Sequence, residues 1–111
     1  MTVAIMTYNY ENAQVIDNEK NHRFEIKIGQ DIAVVPYNFK DDMIALFHTE
    51  VPEKYGGRGL GTKLALYALN YAKDHHLKVL PYCSFIAGYI KKHPEWLSYV
   101  KRFPATDNPK K

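Results

Sequence analysis

The sequence predicts an α+β fold: a mostly antiparallel sheet of about five strands, one β-α-β crossover and a second short helix. Three observations carry that expectation. Apolar residues alternate with a period of two up to about residue 52 and recur at helical spacing beyond it. Clusters of Gly, Asn, Asp and Lys break the extended half at turn spacing. The segment between the apolar run ending at Val51 and the next one at Leu77 has the length of a crossover between parallel strands.

Each element follows from the local pattern. Ala13 to Asp17 reads as an edge strand, with Asn18 to Asn21 as its turn. Phe24, Ile26 and Ile28 alternate with Arg23, Glu25 and Lys27, which predicts a strand with one dry and one wet face. Gly29-Gln30-Asp31 turns the chain into Ile32–Val35, and Lys40-Asp41-Asp42 turns it into Met43–Val51. After Pro52, apolar residues at Leu60, Leu64, Tyr67, Ala68 and Tyr71, widened by Ala65, Leu66, Leu69 and Ala72, predict a helix from Leu60 to about His75. Leu77–Leu80 is a short apolar strand ended by Pro81. Ser84 through Lys92 reads as a helix capped by Ser84, and Pro94 opens a last helical turn through Val100.

Length and composition bound the function. The 111 residues, 46% hydrophobic and 24% charged, suit one domain with its core over 13–100 and loosely held ends at 1–12 and from Thr106. A core of this size needs neither disulfide nor structural metal. The lone Cys83 cannot form an internal bridge, which points to a reducing compartment, and Met1 to Met6 lacks the basic flank and length of a signal or span. A cytoplasmic protein is expected, with no membrane partner. The formal charge of +3 is spread along the chain, and the nine tyrosines lack interleaved Arg and Lys, so nucleic acid is not expected as a partner. His75 and His76 project differently from a helix end and make a poor metal pair; no metal site is expected.

The most informative stretch is Tyr55-Gly56-Gly57-Arg58-Gly59-Leu60-Gly61-Thr62, between a strand and a helix. Glycines let the main chain curl closely around a ligand, and the N–H groups of a first helical turn form an anion site, so a phosphate or diphosphate is the natural guest. Two familiar phosphate loops are excluded. A Walker A loop needs Lys before Ser/Thr after its last glycine, whereas Gly61 is followed by Thr62-Lys63; the G-x-G-x-x-G dinucleotide fingerprint is absent as well. By crossover geometry, residues 48–62 and 81–85 face each other at one sheet edge. His48 is suited to proton transfer near neutral pH. Cys83, ahead of a helix, is either a thiolate favoured by the helix dipole or a buried packing residue.

The segments Arg23-Phe24-Glu25, His48-Thr49-Glu50-Val51-Pro52, Gly57-Arg58-Gly59-Leu60-Gly61, Leu77-Lys78-Val79-Leu80-Pro81, Cys83-Ser84-Phe85 and His93-Pro94-Glu95-Trp96 together resemble the small, single-domain branch of the GNAT N-acetyltransferase superfamily, the NATD1-like group. The resemblance runs from Arg23 to Val100. It implies a GNAT-like fold and binding of acetyl-CoA, with the main chain from Gly56 to Thr62 wrapping the coenzyme A pyrophosphate and the main chain at Glu50-Val51 pairing with the pantetheine arm between splayed strands. Tyr55, Ser84 and Phe85 belong to the same cofactor site. The wider superfamily has Gln or Arg where Gly56 stands, so one side-chain contact to the phosphates is missing here. Cys83 and His48 are the catalytic candidates, on opposite sides of a thioester, and the resemblance leaves Cys83 open between carrying the acetyl group and assisting direct transfer. Lys91, Lys92 and His93 are weaker candidates for the adenosine phosphate.

The expected activity is acetyl transfer from acetyl-CoA to an amine acceptor, a protein lysine or N-terminus among them, by a monomer or weak homodimer. The alternative is a non-catalytic acyl-CoA-binding regulatory module, because a chain this short lacks the helical pair with which larger relatives build much of the acceptor site. A nucleotide-phosphate module is the third reading.

Overall fold

The computed structural model describes residues 13–104. Five strands lie side by side in chain order: β1 (Val15–Asn18), β2 (Arg23–Ile28), β3 (Asp31–Lys40), β4 (Met43–Leu46) and β5 (Lys78–Pro81). The first four form an antiparallel meander, and β5 joins β4 in parallel. The crossover between them carries α1 (Leu60–Asp74), and α2 (Ser84–Lys92) follows β5. The expected ends lie outside the described residues.

The core is where the two sequence periods meet. Phe24, Ile26, Val35, Ile44 and Leu46 from one sheet face pack against Leu60, Leu64, Ala68 and Leu69 of α1 and Ile86 and Ile90 of α2. Phe24 touches Tyr67 and Tyr71 of α1, with ring centroids 5.1 and 5.2 Å away. The opposite face carries Glu25, Val34, Ala45 and Leu80.

Several expected boundaries shift for local reasons. The edge strand runs Val15–Asn18 rather than Ala13–Asp17, and Asn18 then caps the short 3-10 turn Glu19–Asn21 by accepting from the Asn21 N–H. β3 runs on through Pro36 to Lys40 instead of stopping at Val35. Pro36 is tolerated because it stands opposite Arg23, where β2 begins and its pairing with β3 ends. β5 is Lys78–Pro81, one residue later than expected, and Pro94–Tyr99 is a 3-10 helix. Glu25, expected on the wet face, is only 3% exposed, because its carboxylate accepts from Arg23 at 2.8 Å and Asn18 at 3.3 Å.

Helix α1 ends where the periodicity predicts, by a device that the sequence hides. The Leu77 N–H bonds to Ala72 O and the His76 N–H to Lys73 O, a Schellman pair, with His76 at φ 56° in the left-handed place usually held by glycine.

Candidate functional site

The site begins at a fault in the sheet. The run expected as one strand from Met43 to Val51 is regular only to Leu46; Tyr37 faces Leu46, yet Val34 faces Glu50. Three steps along β3 therefore oppose four steps along the chain after β4, a bulge of one extra residue. Meanwhile β5 leaves in the other direction: the Cys83 N–H still bonds to Leu46 O at 2.9 Å, and α2 starts at once. The parallel pair opens into a gap just past Leu46.

Glu50 donates its N–H to Val34 O and accepts from Val34 N, both at 2.9 Å, so its main chain is fully engaged with β3. The expected main-chain pairing of a ligand with Glu50 itself is thereby corrected. In an antiparallel pair the flanking residues point the other way. Thr49 and Val51 thus turn their main-chain groups into the gap, and among the described residues those groups have no main-chain partner.

Across the gap lies the glycine loop. Gly57 and Gly59 both adopt positive φ, 76° and 80°, which curls the chain into the start of α1. Gly59 is the cap residue and offers no side chain, and the first turn of α1 holds no acidic residue. The first intrahelical bond is Lys63 N–H to Gly59 O, which leaves the amides of Leu60, Gly61 and Thr62 without helical acceptors. They are anion donors at the positive end of the dipole. The loop is tied back by the Tyr55 hydroxyl, which donates to Asp31 at 2.9 Å, and by Lys54, 3.2 Å from the same carboxylate. The Tyr55 hydroxyl, then Lys54, hold the Asp31 carboxyl below its ordinary value.

Gly61 explains how close the walls come. A Cβ there would lie 3.2 Å from Phe85 Cζ, close enough to push the ring back by a few tenths of an ångström, and 3.7 Å from Thr49 Cγ2, in ordinary contact, so glycine lets the Phe85 ring sit tightly on α1. A cavity of about 410 Å³ results. Val51, Tyr55, Gly56, Gly57, Gly59, Leu60, Gly61, Thr62 and Phe85 line it, so most of the expected cofactor residues share one space. Ser84 lines an adjoining cavity of about 560 Å³ with Tyr89, Lys92 and His93, and the two cavities share Thr62 and Phe85. Arg58 is exposed and outside both linings. Residues reached in this way span the size range of small-molecule sites.

The two catalytic candidates come to the gap from different sides. Cys83, not Ser84, caps α2: its Sγ accepts from Ile86 N–H at 3.5 Å. The reason is the extended backbone of Cys83, φ −74° and ψ 119°, which leaves Ser84 as the first helical residue. The thiol is 2% exposed and lines neither cavity, but it lies 3.1 Å from Thr49 Oγ1, which does line the first. Thr49 is the site residue the sequence reading missed; the only signal was its place between His48 and Glu50. His48 lies on the other side. Its Nε2 is 2.8 Å from Glu50 Oε2, with side chains 52% and 66% exposed, and Glu50 shares the Val34 face of the sheet, away from the helices.

Comparison with known proteins assigns the fold to a family. Residues 23–100 match the family model of the GCN5-related N-acetyl-transferases. The chain belongs to the GCN5-related N-acetyltransferase family. Protein NATD1 of Gallus gallus is 36% identical over 84 residues, covering 73% of this chain and 76% of that protein. Protein NATD1 of Homo sapiens is 33% identical over 84 residues, with 73% and 74% covered. The solution NMR structure of a GCN5-like protein from Staphylococcus aureus has a TM-score of 0.65 at 26% identity, and the match covers 85% of this chain and 93% of that one. The five-stranded, mostly antiparallel sheet with its helices is thus a GCN5-related fold. No helix among the described residues is long and apolar enough to cross a membrane, and these residues contain no group of three or more His, Cys, Asp or Glu suited to a metal ion.

Proposed function

We propose that the protein is an acetyl-CoA-dependent N-acetyltransferase that moves the acetyl group directly to an amine. One observation carries the reading: the uncapped first turn of α1 and the unpaired main chain of Thr49 and Val51 face the same cavity of about 410 Å³. The amides of Leu60, Gly61 and Thr62 suit a pyrophosphate, and the Thr49 and Val51 groups suit an amide-bearing arm lying along them. Ser84, Lys92 and His93 suit the adenosine end, and Arg58 flanks the phosphates from the rim.

The chain's own groups can then manage the protons. The Glu50 carboxylate can only accept, so His48 Nε2 carries the donated hydrogen, and in the neutral imidazole Nδ1 offers the lone pair. Nδ1 takes a proton from the acceptor ammonium and passes it to solvent, the amine nitrogen bonds to the thioester carbonyl carbon, and as the carbon–sulfur bond breaks the nitrogen yields its second proton to Nδ1. The departing thiolate takes a proton held by the Thr49–Cys83 couple, which solvent restores. Burial of the thiol favours this assisting role over an acetyl-cysteine.

Two measurements test the reading. Amide chemical shifts on titration with CoA are expected to move at Val51 and from Gly57 to Thr62, with steady release of CoA when acetyl-CoA and amines are supplied. Binding without release would support the regulatory-module reading instead. Mass spectrometry after mixing with acetyl-CoA is expected to find Cys83 unmodified; a gain of one acetyl group on it during turnover would overturn direct transfer.

A further inference from the structure

The sheet face away from the helices carries a feature that the cofactor site does not use. Phe47, the first residue past β4, and Tyr82, the first past β5, stack across the mouth of the gap with centroids 5.8 Å apart and planes 23° from parallel. Each is 40% exposed, although rings of this size normally bury more of their surface. Neither lines the cavity at the glycine loop or the one adjoining it. Phe47 stays in register with β3 through its N–H to Pro36 O, so its position is fixed by the sheet. On the same face, just past the bulge, stands the exposed Glu50 carboxylate with His48.

We propose that Phe47, Tyr82 and the Glu50 carboxylate form the acceptor subsite, and that it takes a cationic primary amine at the end of an unbranched alkyl chain, the form of a lysine side chain on a larger molecule. The proposal rests on the transferase function above. Paired ring faces attract an alkylammonium through the aromatic quadrupole and cover its methylenes, while the carboxylate supplies the opposite charge. An anionic acceptor meets repulsion from Glu50, and a neutral one gains neither attraction. Both rings and the carboxylate are exposed, so they can receive a chain that protrudes from a larger molecule. An amine held there stands beside His48, on the side of the gap opposite the cavity.

The test is a titration of isotope-labelled, CoA-bound protein with Nα-acetyl-lysine methylamide and, separately, its neutral norleucine counterpart. Saturable shifts at Phe47, Tyr82 and Glu50 with the lysine compound alone are expected. The Phe47→Leu/Tyr82→Leu double variant is expected to weaken that binding about tenfold, the scale of a well-formed cation–π contact, while Phe47→Tyr retains it. CoA-induced shifts from Gly57 to Thr62 show that the double variant is folded; if they are lost, Glu50→Gln decides instead, with several-fold weaker binding expected. An equal response to norleucine, or unchanged lysine affinity in the deciding variant, overturns the proposal. Lysine shifts at the ring pair without any acetylated product would refute the transferase reading and leave the pair as a lysine-binding surface rather than an acceptor subsite. Acetylated product with both rings unmoved would refute the subsite and leave the transferase reading standing.

Discussion

Gly59 and Gly88 allow the same atom to be added at two open places with opposite expected effects. An ideal Cβ at either meets nothing within 4 Å, so neither Gly59→Ala nor Gly88→Ala creates a clash. What differs is the backbone. Gly59 has φ 80°, where an L side chain costs roughly 1–2 kcal/mol, whereas Gly88 lies inside α2, where alanine is favoured over glycine by about 0.8–1.0 kcal/mol. The two variants should therefore differ in stability by about 2–3 kcal/mol from identical chemistry. At about 4–5 °C per kcal/mol for a domain near this size, Gly59→Ala is expected to lower Tm by about 4–10 °C and Gly88→Ala to raise it by about 4 °C. Thermal unfolding followed by circular dichroism reads both. CoA affinity should fall with Gly59→Ala, because relaxing that φ turns the first-turn amides away from the cavity. Equal Tm changes in the two variants would refute the left-handed turn and, with it, the physical basis of the anion site.

Three further outcomes follow from particular contacts. His76→Gly relieves the left-handed strain at the end of α1, where φ is 56°, and is expected to stabilise by about 1 kcal/mol in urea unfolding. Burial alone would raise the Glu25 carboxyl, but bonds to Arg23 and Asn18 and the charges of Arg23 and Lys27 outweigh it and hold it below its ordinary 4.5. Its stabilisation is therefore fully present above pH 4.5 and lost as pH falls through the lowered folded value; Glu25→Gln should cost about 1 kcal/mol at neutral pH, a gap that closes in acid. Gly61→Val pushes branched carbon into Phe85 and Thr49, and calorimetry is expected to find CoA binding weakened by about tenfold or more.

Where chemistry is local, the sequence was readable. The helix over Leu60–Asp74 follows from apolar spacing, α2 follows from the run after Pro81, and the glycine loop follows from residue types that only a curled backbone requires. The exclusions of Walker A and dinucleotide loops are of the same kind. The strand after Asp42 was misjudged because Met43 to Val51 is apolar enough to extend throughout; the bulge is imposed by β3, whose Val34 takes Glu50 rather than Thr49. Ser84 was the expected cap because serine is the better capping residue, yet cap position is set by backbone angles, and Leu46 O holds Cys83 in the extended form.

The sequence by itself determined the periods, the turns and the glycine-rich loop, since each depends on the intrinsic preferences of a few neighbouring residues. Only tertiary structure decided which sheet face each candidate meets. A single extra residue between Leu46 and Glu50 sends Thr49 toward Cys83 and the cavity and leaves His48 and Glu50 on the open face. Side chains alternate along an extended chain, so a shift of one residue reverses their sides. That shift is chosen by long-range pairing with β3, for which no local pattern codes.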